Sequence, residues 1–225
     1  LRPECLLQSR EIFMLTALGL FTEQIKQVVV VLSGEFGLIH RLIRLPQEDC
    51  CQALSVPPTR KYQNEGGPGI VDICALLQGS DEPQRDRANF LKANILFWLI
   101  GATDGHAKNF SIALMPGGRF TLTPLYDVLT VQPTLEAGQL QIKDMKLAMR
   151  AGKSRHYKVS DLQGRHFMET GLAAGFSRAQ ILRIFDEIRA AADTAFARAL
   201  ADMPAGFPAA LGDCIRRGFD QRLPR

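Results

Sequence analysis

Six consecutive residues, Asp104-Gly-His-Ala-Lys-Asn109, carry a carboxylate, an imidazole, a cation and a carboxamide, and a second carboxylate, Asp127, follows a Tyr farther along. Phosphoryl transfer needs this set of groups. One Asp takes the proton of an incoming hydroxyl, a cation neutralises phosphate charge, and oxygens from an Asn and a second Asp hold magnesium. On this reading Asp104 is the base, Lys108 faces phosphate, and Asn109 and Asp127 are the metal ligands. Simpler readings compete. An Asp-Gly pair after a helix can merely turn the chain, but a turn requires neither Lys108, Asn109 nor a second Asp. Asp104 and His106 also resemble half of a zinc hydrolase site, with His40, His156 and His166 available. Dedicated zinc sites usually add a second close pair such as H-x-x-x-H or C-x-x-C, and the sequence has none. It also lacks G-x-S-x-G, and Cys50-Cys51 reads as helix packing rather than a nucleophile.

The elements that must position these groups follow from periodicity. Ser80 can cap a helix with Pro83 near its first turn, and Phe90, Leu91, Asn94, Ile95, Trp98, Leu99 and Ala102 recur at helical spacing, delivering the chain to Asp104. Phe110–Leu114 and Arg119–Thr123 alternate around Met115-Pro-Gly-Gly118 and predict a β-hairpin, whose far end leads to Asp127. Upstream, Glu11–Leu20 reads as a short helix and Val28–Leu32 as a buried strand. Pro46–Leu54 reads as a helix with acids in its first turn, stopped by Pro57-Pro58. Another helix is expected over Ile70–Leu77. Ser177-Arg-Ala-Gln180 is a capping box for a long helix with an apolar stripe from Ile181 to Ala195, and a last helix lies between Pro208 and Phe219. The glycines of Glu65-Gly-Gly-Pro-Gly69 lack a following Lys-Ser/Thr, so they read as a turn or loop, with Lys61 and Tyr62 as solvated neighbours. The expectation is a mainly α domain with one small hairpin carrying the polar motif.

Composition bounds the rest. The chain has 225 residues, 46% hydrophobic and 22% charged, with a net charge of +4, enough for one real core and too mild a charge to argue for nucleic acid by itself. Its 5 cysteines form no disulfide framework, which suits a reducing cytoplasm, and no run is apolar for long enough to span a membrane. A start at Leu1 rather than Met suggests a fragment.

Taken together, Asp104-Gly-His-Ala-Lys-Asn109-Phe-Ser, Leu125-Tyr-Asp127, Arg44-Leu-Pro-Gln-Glu-Asp49, Lys61-Tyr62 and Gly66-Gly-Pro-Gly-Ile70 resemble the C-terminal part of the HipA-type serine/threonine-kinase toxins of bacterial toxin–antitoxin modules. The resemblance runs from about Leu42 to the end. It implies a protein-kinase-like helical C-lobe in residues 42–225, with Asp104 as catalytic base and Asn109 and Asp127 as Mg2+ ligands. Gln47, His106, Lys108 and Tyr126 would surround ATP. It further implies a serine substrate, glutamyl-tRNA synthetase, and a HipB-like antitoxin whose complex represses operator DNA. Arg165 and His166 fall in a region resembling the family's DNA-contacting surface. Residues 1–41 depart from the pattern. They are too few for a five-stranded phosphate-gripping lobe, Lys26 is their only lysine, and no counterpart of the autophosphorylated serine is evident. They read as a divergent remnant, so this polypeptide alone is expected to have little kinase activity. A non-catalytic module that binds antitoxin or DNA is the alternative.

Overall fold

A central 18-residue helix organises the molecule. The computed structural model describes residues 31–34, 37–40, 46–154 and 156–224. The expected helix over Glu11–Leu20, the first part of the Val28–Leu32 run and Lys26 lie outside them. Within them, β1 (Val31–Gly34) and β2 (Gly37–His40) pair as an antiparallel hairpin. The strand β3 (Gln47–Asp49) runs directly into α1 (Cys50–Ala53), and α2 (Ile70–Leu76) precedes the central helix α3 (Pro83–Ile100). Next come β4 (Ser111–Met115), β5 (Arg119–Leu122) and α4 (Gln132–Glu136), then β6 (Lys146–Ala151) and β7 (His156–Lys158). Three helices close the order: α5 (Gly164–Ala173), α6 (Arg178–Ala201) and α7 (Ala209–Arg222).

The helix α3 is buried beyond a single stripe. From Phe90 to Ile100 every residue except Lys92 is buried, because α2, α6 and α7 all pack against it. Helical spacing therefore finds the helix but understates its burial, since a helix covered on several sides need not alternate. Its one buried carboxamide, Asn94, donates to the Phe90 carbonyl at 2.9 Å. Pro83 sits in the first turn, but Ser80 does not cap the helix: its Oγ accepts from the Glu82 N–H at 3.2 Å, one step upstream. Asp86, 0% exposed, accepts from the Leu122 N–H at 2.8 Å and so ties the start of α3 to the end of β5.

The expected hairpin forms as β4–β5, with Ile112 opposite Leu122 and Met115 opposite Arg119. Its other edge is occupied by β3, antiparallel to β4, giving the order β3-β4-β5. Pro46–Leu54 is thus strand first and helix second, contrary to the single helix that Pro and acids suggest. Gln47–Asp49 gains ladder bonds from β4, and the helix begins only after Asp49, whose side chain caps it through the Gln52 N–H at 3.0 Å. The helix over Ile70–Leu76 and the Ser177–Gln180 capping box of α6 match expectation. The buried face of α6 includes Ile181, Ile184, Phe185, Ile188, Ala192 and Ala195. The last helix extends through Arg222.

Candidate active site

A left-handed glycine and three contacts fix the end of α3, from which Asp104 emerges. Gly101 closes the helix in the left-handed conformation, φ +72°. Ala102 forms a bridge with Thr130, Thr130 Oγ1 donates to the Ile100 carbonyl at 2.5 Å, and Arg222 Nε donates to the Leu99 carbonyl at 2.9 Å. The following turn is equally constrained. A Cβ at Gly105 would run into the Phe97 ring, so only glycine lets the loop lie this close to α3. The His106 N–H then donates to the Asp104 carbonyl at 2.8 Å, and the Asn109 N–H to the His106 carbonyl at 2.9 Å.

Asp104 has a partner that the local sequence does not reveal. The Tyr62 hydroxyl donates to Asp104 Oδ1 at 2.6 Å. That bond comes first, and burial second, in pushing the Tyr62 hydroxyl up to about 12. The glycine-rich loop explains how Tyr62 arrives there. The Gly67 N–H donates to the Tyr62 carbonyl at 3.0 Å, and a Cβ at Gly67 would strike the carbonyls of Arg60 and Tyr62. The loop therefore folds back on Tyr62. The Ala107 N–H donates to the Lys61 carbonyl at 3.3 Å, joining the two segments. His106 meets the Tyr62 ring edge-on at 5.1 Å, with its Nε2 3.9 Å from Asp104 Oδ1. Burial holds the His106 imidazole below its ordinary value, with Asp104 opposing, and its buried Nδ1 has no hydrogen-bond partner among the described residues.

Asn109 and Asp127 meet across the hairpin. Asn109 Nδ2 donates to Asp127 Oδ2 at 3.1 Å and to the Asp127 carbonyl at 3.2 Å. Asn109 is 3% exposed, whereas Asp127 is open to solvent and has φ +54°, in the left-handed region. Tyr126 spans the same junction: its hydroxyl donates to the Lys108 carbonyl at 2.7 Å and lies 2.6 Å from Ser111 Oγ. Burial is the main cause that raises the Tyr126 hydroxyl above its usual range. Lys108 Nζ pairs with Asp49 Oδ2 at 2.6 Å, and this bond raises the ammonium above its usual value. Asp49 therefore caps α1 with one oxygen and holds Lys108 with the other. Gln47, two positions earlier on β3, shares a strand face with Asp49. The oxygens of Asn109 and of the solvent-open Asp127 carboxylate are hard donors of the kind that suits a magnesium ion.

Arg165 and His166 sit apart from this constellation, in the first turn of α5. Arg165 is exposed. His166 is 5% exposed, its Nδ1 accepts from the Gln163 N–H at 3.1 Å as a helix cap, and its ring stacks on His156 at 4.4 Å. Among the described residues no group of three or more His, Cys, Asp or Glu side chains gathers as a metal-binding cluster. No described helix is long and apolar enough to cross a membrane.

The fold is similar to that of the proinflammatory kinase CtkA of Helicobacter pylori, with a TM-score of 0.59 at 10% identity over 96% of this chain and 79% of the matched one. The chain belongs to the HipA-like C-terminal domain family, whose model matches residues 17–196. It is 37% identical over 155 residues to the putative kinase Y4mE of Sinorhizobium fredii, a match covering 67% of this chain and 34% of that protein. It is 29% identical over 103 residues to the serine/threonine-protein kinase toxin HipA of Shewanella oneidensis, covering 41% of this chain and 24% of the toxin. These matches span about a third or less of the curated relatives. Among solved structures, the complex of Shewanella oneidensis HipA, HipB and operator DNA matches with a TM-score of 0.70 at 18% identity, over 97% of this chain and 54% of the matched one.

Proposed function

We propose that residues 42–225 form the catalytic-base and metal-binding lobe of an ATP- and Mg2+-dependent serine/threonine kinase. The observation that carries this reading is the convergence of Asn109 on Asp127, at 3.1 Å, five residues from Asp104 on one constrained loop. Asp104 takes the proton of the acceptor hydroxyl as its oxygen bonds to the γ-phosphorus and the bond to the departing ADP oxygen breaks. Tyr62 occupies Oδ1 of Asp104, which directs the acceptor hydroxyl to Oδ2. Asn109 and Asp127 would hold Mg2+, which when bound neutralises charge on the nucleotide phosphates. Lys108, already oriented by Asp49, adds a cation for the phosphates, with Gln47, His106 and Tyr126 around the nucleotide.

The kinship with HipA supports a HipB-like antitoxin as partner, with operator DNA reached through that complex and Arg165 on the exposed side of α5 as a candidate contact. His166, 5% exposed, is the less accessible of the two residues proposed to face DNA. Glutamyl-tRNA synthetase is the substrate the family resemblance suggests. Nucleotide binding is the first readout. Titration with ATP should show Mg2+-dependent binding, lost in Asp127→Asn and retained in Asp104→Asn. Any phosphoryl transfer should fall roughly 10²- to 10⁴-fold in Asp104→Asn. Nucleotide binding indifferent to Mg2+ and to Asp127 would overturn the proposal.

A further inference from the structure

Tyr62 is held against Asp104 by more than its own hydroxyl, because three hydrogen bonds close a circuit around the pair. The Tyr62 hydroxyl donates to Asp104 Oδ1 at 2.6 Å, the Ala148 N–H to the Thr103 carbonyl at 3.1 Å, and the Arg150 N–H to Gln63 Oε1 at 2.8 Å. The chain itself completes the circuit. Thr103 adjoins Asp104, Tyr62 adjoins Gln63, and Ala148 and Arg150 lie two positions apart on β6. Gln63 supplies the side chain that ties the Tyr62 segment to this strand.

The strand is a fixed support. Just past its end, the Gly152 N–H donates to Thr170 Oγ1 at 2.8 Å and the Lys153 N–H to Glu169 Oε2 at 3.0 Å, both acceptors lying on α5. The Gln63 carboxamide is confined as well. It lies against Gly69, where an added Cβ would run into it, so the last glycine of the run makes room for this side chain. The Tyr62 carbonyl accepts from the Glu65 and Gly67 N–H groups, bonds that shape its own turn but do not reach the Asp104 loop. The backbone tie that does reach that loop, from the Ala107 N–H to the Lys61 carbonyl, is long at 3.3 Å.

We infer that Gln63 is a positioning residue of the kinase site: by gripping β6 it holds the Tyr62 hydroxyl on Asp104 and keeps the other carboxylate oxygen free for the acceptor hydroxyl. The inference rests on the kinase reading and adds a residue outside the nucleotide and metal positions. Its test is spectroscopic and needs no turnover. The chain has 3 tyrosines, so tyrosine labelled with 13C at Cζ gives a simple spectrum in which Tyr62→Phe identifies the Tyr62 signal. The bond to Asp104 is the first cause that raises the Tyr62 hydroxyl to about 12. At about pH 10.5, Tyr62 should be almost wholly protonated in the unaltered full chain and about half ionised in Gln63→Met, which has similar length but no oxygen for the Arg150 N–H. Gln63→Glu, which keeps an acceptor oxygen, should leave Tyr62 protonated. In transfer assays Gln63→Met should lower kcat about threefold to tenfold with the KM for ATP unchanged, a split that a general loss of stability would not produce. Far-UV circular dichroism checks folding, and if Gln63→Met does not fold, Gln63→Asn, one methylene too short to reach β6, takes its place. Tyr62 ionisation in the folded variant no greater than in the unaltered chain, or equal ionisation in Gln63→Met and Gln63→Glu, would overturn the inference. Mg2+-dependent nucleotide binding, measured on the same samples, reports separately on the kinase reading.

Discussion

The two oxygens of Asp104 have different surroundings, and that difference gives Tyr62 a task. Oδ1 is taken by the Tyr62 hydroxyl at 2.6 Å, so the carboxylate cannot rotate freely and its other oxygen is held toward solvent. A hydrogen bond to a charged group contributes about 1.5–3 kcal/mol. Tyr62→Phe keeps the ring that packs on His106 but frees the carboxylate. In steady-state transfer assays it should lower kcat by roughly tenfold to a hundredfold with little change in the KM for ATP. An equal rise in KM would instead mean that Tyr62 shapes the nucleotide site. The motif Asp104–Asn109 was legible from residue types alone because its groups are adjacent in sequence. Tyr62 and Asp49 were not, since their partners lie 42 and 59 positions away. The signal that could have found Tyr62 is the glycine run after it, which makes sense once it is seen to fold the chain back.

Local capping and apolar spacing make several elements readable in advance, including α2, α6, α7 and the β4–β5 hairpin. The strand β3 escapes such reading because Gln47, Glu48 and Asp49 carry no apolar alternation. They become a strand only through pairing with β4. The β6–β7 hairpin is similarly obscure, with an irregular register between Lys146 and Ala151. Tertiary contact also explains how α7 supports a site to which it adds no motif residue. Arg222 donates to the Leu99 carbonyl at 2.9 Å and to Gln132 Oε1 at 2.7 Å, capping the helix that presents Asp104. Burial lowers its guanidinium to about 10. Arg222→Met retains the aliphatic stem but leaves both acceptors unpaired. It should cost about 1–3 kcal/mol in urea unfolding and speed amide exchange at Gly101 and Ala102. A variant with unchanged exchange there would show that the cap is dispensable.

The molecule as a whole should be most stable between two titration limits. His106 and His166 are held below 6.5, in both cases first by burial, then with His156 and Arg165 adding repulsion at His166. The unfolded chain therefore binds more protons just below that value. The stability from keeping these rings neutral is present above pH 6.5 and is lost as pH falls toward their folded-state values. At the other limit, Tyr62, Cys50 and Cys74 are raised to about 12 from 10.0, 9.0 and 9.0. Their protonated forms favour the fold below the unfolded values, and that contribution disappears as pH climbs toward 12. Thermal scans across pH should give a plateau at neutral to mildly alkaline pH with Tm falling on both sides. His166→Asn, which keeps a capping acceptor for the Gln163 N–H, should flatten the acid side. An acid slope unchanged by that substitution would assign it to other groups.

The left-handed backbone at Asp127, φ +54°, limits what evolution or mutagenesis can place there before any metal chemistry is considered. Asn tolerates that conformation well, whereas residues such as Ala or Val pay a conformational cost of roughly 1–2 kcal/mol. Loss of function in Asp127→Ala would therefore mix backbone strain with loss of a ligand. For the same reason, sequences that drift away from catalysis at this position should favour Asn or Gly, leaving a turn of unchanged shape and a site without its carboxylate.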